Sequence, residues 1–131
     1  MTRVLVVHHD IDLADQETDG LRRAGFEVEQ CMGPIGSSCP ILNGLRCEAA
    51  ERADVLVYDV WSTGDSDGGR RLIEGLRELY PTIPVVLTAP GFELDWVQTA
   101  GPHRVVPLVG APTTARLVAA IGEALEAPAA N

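Results

Sequence analysis

Three groups of residues in this chain are of types that do chemistry. The first is His8, His9 and Asp10, which follow the apolar run VLVV directly in the stretch VLVVHHDID. Imidazoles beside a carboxylate can move a proton, bind a transition metal, or sit as an internal ion pair, because the carboxylate favours the imidazolium. The second is Asp59, which closes a further apolar run in VLVYDV. The third is Cys31, Cys39 and Cys47, spaced eight apart. Three thiols cannot all pair within one molecule, and an iron–sulfur cluster usually takes four. A disulfide between two of them, acting as a redox switch, stays open. So does a zinc set of His8 or His9, Cys31 and an aspartate, although the spacing matches no strong metal motif. The acidic stretch GDSDGG lacks the terminal glutamate of a twelve-residue calcium loop and reads as solvated.

These residues sit where apolar blocks end. Val4 to Val7 and Val55 to Tyr58 are continuous β-branched and apolar runs, the pattern of strands covered on both faces. Phe26, Val28 and Cys31 mark a second strand, PVVLTA a fourth, and Arg104 to Val109 a weaker fifth. Helical blocks lie between them. Asp10 or Asp12 can cap a helix that carries Leu13, Leu21 and Ala24 and stops at Gly25. A short helix is predicted at Glu48 to Arg52. Leu72, Ile73, Leu76 and Leu79 make one apolar face of the next. Phe92, Trp96, Val97 and Ala100 suggest another at 91–100, and Thr113 or Thr114 can cap a last helix with Leu117, Val118, Ile121, Ala124 and Leu125 inward. His103 reads as a loop residue. Strands alternating with helices predict a doubly wound α/β sandwich of five parallel strands, flavodoxin-like, in the order 2-1-3-4-5. In such sheets chemistry collects at the carboxyl ends of the strands. Here that means His8, His9 and Asp10, Cys31, Asp59, Thr88, and Val109 with Gly110. Adjacent strand residues point to opposite faces, so one of the two histidines is expected to face this rim.

The 131 residues fit one domain, 1–126, with a frayed tail at 127–131. The net charge of −9 argues against nucleic-acid backbones and anionic lipid. No apolar run approaches the length of a membrane span, and no signal peptide is evident, so a cytoplasmic protein is expected. All ten basic residues are arginine; no step that needs a lysine can be performed by this chain. A flavin or nucleotide protein on the same general fold would want a glycine-rich phosphate loop after the first strand, where HHDID stands instead.

In order and spacing the chain resembles the receiver domain of bacterial response regulators over roughly residues 3–125. VLVV, LRRAGFEV, ADVLVYDV, IPVVLTA and RLVAAIGEAL stand in for that family's successive segments. The resemblance implies a phospho-accepting aspartate at Asp59 and a switch hydroxyl at Thr88. It also implies a magnesium ion held by an acidic pair, the acceptor and a backbone carbonyl, here that of Trp61. A lysine at the end of the fifth strand would neutralise the phosphoryl group.

The sequence departs from the family at the charges. The acidic pair falls on His8 and His9, and the lysine on Gly110, or on Ala111 if the alignment slips by one. Two unit charges about 4 Å apart interact by roughly 4 kcal/mol at an effective dielectric near 20. Replacing a carboxylate with imidazole removes a term of that order, and imidazole is a poor magnesium ligand. The expectation is therefore an atypical, stand-alone receiver, not an enzyme, with phosphorylation lost or weakened and magnesium binding weak or absent. Asp10 is a possible carboxylate helper. Output would pass to a protein partner (a kinase, a regulator or an output protein) or through self-association, with Phe92 and Trp96 as aromatic anchors. The alternatives are a working phosphoacceptor in a two-component phosphorelay, and a metal- or redox-responsive module built on His8, His9 and the cysteines.

Overall fold

The apolar runs form strands, and the strands form one parallel sheet. The computed structural model describes residues 2–8, 10–31, 40–41, 44–59, 70–89 and 105–125. In chain order the elements are β1 (Arg3–Val7), α1 (Ile11–Arg23), β2 (Glu27–Cys31), α2 (Glu48–Arg52), β3 (Val55–Asp59), α3 (Arg70–Leu79), β4 (Val85–Ala89), β5 (Val105–Val109) and α4 (Thr114–Leu125). The strands lie in the order β2-β1-β3-β4-β5, every neighbouring pair parallel, as the alternating pattern predicts. The order reverses between β1 and β3, which makes their carboxyl ends the switch point where a crevice opens. The helix expected at 91–100, with Phe92 and Trp96, and the tail from 126 onward lie outside the described residues. Among the described residues no helix is long and apolar enough to cross a membrane.

Period-two alternation gives the sheet two cores. On one face Leu5, Val7, Leu56, Tyr58 and Leu87 pack with Ala50 of α2, Leu76 of α3 and Tyr80. On the other, Val4, Val6, Val55, Val57, Val86 and Leu108 meet Ala14 and Leu21 of α1 and Leu117, Ile121 and Ala124 of α4. Each fully buried Leu or Val contributes roughly 1.5–3 kcal/mol. The same alternation, carried one step past the apolar runs, sends His8, Asp59 and Thr88 to the face shared by α1 and α4.

Local chemistry sets the helix ends. Asp10 is the N-cap of α1, its Oδ1 accepting the Leu13 N–H at 3.1 Å. Gly25, at φ +103°, takes the left-handed turn after α1 that a side chain disfavours. Thr113 caps α4, its Oγ1 accepting the Arg116 N–H at 3.3 Å.

Three sequence expectations change. Leu125, expected inward on the last helix, is 40% exposed because it closes α4 beyond the buried stripe of Leu117, Ile121 and Ala124. Leu13 does not join the apolar face of α1; it is 45% exposed, and the inward stripe is Ala14, Glu17, Thr18 and Leu21. The Asp10 cap sets the helix phase, and i, i+3, i+4 and i+7 from residue 14 fall on those positions. A cysteine closing a strand reads most simply as a small buried hydrophobe, and Cys31 is not one. It is exposed, because β2 is an edge strand and only Val28 on it is buried.

Helices α1 and α4 approach each other through Gly20. A Cβ there would lie 2.1 Å from Thr114 Oγ1 and 3.2 Å from Thr114 Cβ. Alanine is the better helix former by about 1 kcal/mol, but forcing a methyl group into this contact costs about 1–3 kcal/mol. G20A is expected to unfold at lower urea concentration than the parent. T114A should be close to neutral alone and should restore much of the loss in the double variant, because it removes the clashing oxygen. Additive losses in that double-mutant cycle would show that the contact does not set the helix spacing.

Candidate functional site

The rim of the switch point is built from backbone outward. One residue past β1, His8 donates its N–H to the Cys31 carbonyl at 3.0 Å, which extends the ladder and holds the residue at the sheet edge of the crevice. Its ring is 4% exposed. Nδ1 accepts the backbone N–H of Asp10 at 3.0 Å. Nε2 lies 3.2 Å from Asp59 Oδ2 and 3.9 Å from Glu17 Oε2. A ring whose Nδ1 accepts a hydrogen bond carries its proton on Nε2, the side of the two carboxylates. The Nε2 proton is thereby directed at the Asp59 carboxylate.

Asp59 closes β3 and is buried. Thr88 stands opposite it in the β3–β4 register and is 1% exposed. Glu17 reaches the same crevice from α1. Burial, and secondarily the Asp59 charge, push its carboxyl up to about 7. The Asp10 carboxylate, read above as a possible helper, accepts the Leu13 N–H through Oδ1 and so caps α1.

At the lysine position the structure places no side chain. Gly110 has φ +96°, and a Cβ added there would lie 2.8 Å from Arg116 Nη1. That guanidinium donates to the Ala111 carbonyl at 3.0 Å and so lies across the strand end. Cys31 is exposed and Cys47 half-buried. Among the described residues no group of three or more His, Cys, Asp or Glu is arranged to hold a metal ion. His9, Cys39 and Trp61 lie outside the described residues.

Structure therefore brings together His8, Asp59 and Thr88 as the sequence suggests, and adds Glu17, which the sequence reading missed. A signal for it existed. Glu17 lies three residues after Ala14 and four before Leu21, on the buried stripe of a helix, but a search for apolar periodicity passes over a glutamate.

No family model matches the chain, and no curated protein sequence matches it. Solved structures do. A response regulator receiver domain protein from Clostridium thermocellum has a TM-score of 0.75 at 18% identity, covering 95% of this chain and 94% of that one. CheY4 of Vibrio cholerae, a chemotaxis protein, has a TM-score of 0.68 at 20% identity, covering 95% and 99%. NtrX of Brucella abortus, in a complex with ADP, has a TM-score of 0.70 at 21% identity; 96% of this chain is covered, but only 26% of NtrX. This chain thus spans about a quarter of the length of NtrX. These similarities show that the chain has the receiver fold.

Because Glu17 binds its proton more tightly in the folded state, folding holds a proton that the unfolded chain releases above pH 4.5. Its contribution to stability therefore falls as pH rises from about 4.5 to about 7 and is constant above that. In urea titrations at pH 5 and pH 8, E17Q should gain on the parent by about 1–3 kcal/mol over that interval. The same difference between the two proteins at both pH values would contradict the assignment.

Proposed function

We propose that this chain is an atypical receiver: a signalling and protein-interaction module in which phosphoryl transfer to Asp59 is lost or much weakened. The observation that carries this reading is the buried His8 imidazole, with Nε2 3.2 Å from Asp59 Oδ2. Magnesium requires near-octahedral oxygen ligands at about 2.0–2.1 Å. The donor set here does not fit it, because an imidazole stands where an acidic residue would, with Nδ1 already spent on the Asp10 N–H. No ammonium can reach the crevice from Gly110, and no lysine exists elsewhere in the chain. A phosphoryl group on Asp59 would then carry its charge with neither cation beside it. That argues for a module that signals through binding, in the cytoplasm, to a protein partner or to itself. The net charge of −9 supports partners other than nucleic acid or anionic membranes. Phe92 and Trp96 remain the aromatic anchors we favour for such contacts.

A working phosphoacceptor is the second reading. Asp59 and Thr88 favour it, standing side by side in the sheet register as acceptor and hydroxyl would. One measurement separates the two. After incubation with acetyl phosphate and magnesium, the intact mass of the parent is expected to stay unchanged. Calorimetric titration with magnesium should give no saturable heat for the parent and millimolar binding for H8D, in which a carboxylate returns to the strand end. A gain of one phosphoryl group that disappears in D59N would overturn the proposal.

A further inference from the structure

We infer that the groove between α1 and the loop joining β5 to α4 is a receptor for a single lysine side chain of a partner protein, with the Glu17 carboxylate as its counter-charge. This goes beyond the reading above and holds whether or not Asp59 accepts a phosphoryl group.

The groove has a volume of about 290 Å³. Pockets for drug-sized ligands run from about 300 to 1,000 Å³, so this one suits one side chain better than a whole small molecule. Its walls are Leu13 on one side and Ala111 and Pro112 on the other, with Gln16 and Thr113 adding polar edges. Glu17 also lines it. That carboxylate is only 6% exposed. It makes no hydrogen bond among the described residues, and the His8 Nε2 beside it is 3.9 Å away, beyond hydrogen-bond reach. A buried carboxylate is costly unless paired, and the groove, which Glu17 lines, is a route by which a donor can come from outside.

The shape and polarity select the donor. A lysine places four methylenes against apolar walls and a compact ammonium at the end, which matches Leu13 and Pro112 along the groove and Glu17 within it. A guanidinium is planar and wants a two-oxygen fork open on one side, whereas Glu17 Oε2 is turned toward His8. A second copy cannot supply the group, since this chain contains no lysine. Leu13, 45% exposed at the mouth of the groove beside Ile11 at 55%, gives the partner an apolar surface on which to rest.

The test uses the full chain labelled with nitrogen-15 and n-butylammonium as the probe, titrated at fixed pH and ionic strength. Amide signals of residues 13–18 and 111–114 are expected to shift with saturation in the millimolar range. Neutral n-butanol should leave them in place, and n-butylguanidinium should bind more weakly. E17Q should weaken butylammonium binding about tenfold or more, as loss of a charge-assisted contact does. The A111W variant, which fills the groove and leaves Glu17 intact, should abolish binding; melting curves will establish that both variants fold. Absence of any saturable shift, equal shifts with butanol, undiminished binding by E17Q or A111W, or tighter binding of the guanidinium would each overturn the assignment. The acetyl phosphate experiment reads none of these signals, so the two proposals fail separately.

Discussion

The contact between His8 and Asp59 organises the carboxyl end of this sheet. A carboxylate at the end of a buried strand must find a partner or a proton, and here an imidazole stands 3.2 Å away. The ring is itself held from behind by the Asp10 N–H, and Asp10 holds the start of α1 through its side chain. One aspartate therefore fixes both the orientation of the imidazole and the phase of the helix that brings Glu17 to the crevice. Strand end, loop and helix are coupled by two hydrogen bonds within a span of six residues.

Charge sets the character of this crevice. A cation site needs more carboxylates than cations among its own residues, and a loop that presents oxygens. Among the described residues two carboxylates, Asp59 and Glu17, meet at this crevice, and the His8 ring stands within 4 Å of both. Burial, and secondarily the Asp59 charge, hold the Glu17 proton up to about 7. At the far edge Arg116 covers Gly110, so positive charge is present but sits at the exposed strand end, pinned to the Ala111 carbonyl.

Packing carries these positions. Gly20 lets α1 approach Thr114 at the start of α4, and both helices cover the face of the sheet onto which His8, Asp59 and Thr88 project. The groove that reaches Glu17 lies along this same junction. A helix pair spaced by a residue with a side chain would stand further apart, and the walls of the groove would not meet.

Much of this was legible in the residues alone. Apolar runs of four or five with helical blocks between them allow only a parallel sheet, because parallel strands need crossovers and both faces need cover. Period two then puts one of His8 and His9 at the rim together with Asp59 and Thr88, and the structure shows His8 there. The Asp10 cap and the turn at Gly25 follow from backbone chemistry that operates within a few residues. Tertiary structure alone decided which groups meet. Glu17 joins His8 across nine residues because the cap sets the rotation of α1, and rotation is invisible to a count of apolar positions when the buried stripe contains a glutamate and a threonine. Exposure of Cys31 follows from its strand lying at the edge, and the covering of Gly110 by Arg116 from a side chain folding back over six residues. Local periodicity specifies the elements; only their packing specifies which charges share a low-dielectric space, and that sharing determines the chemistry.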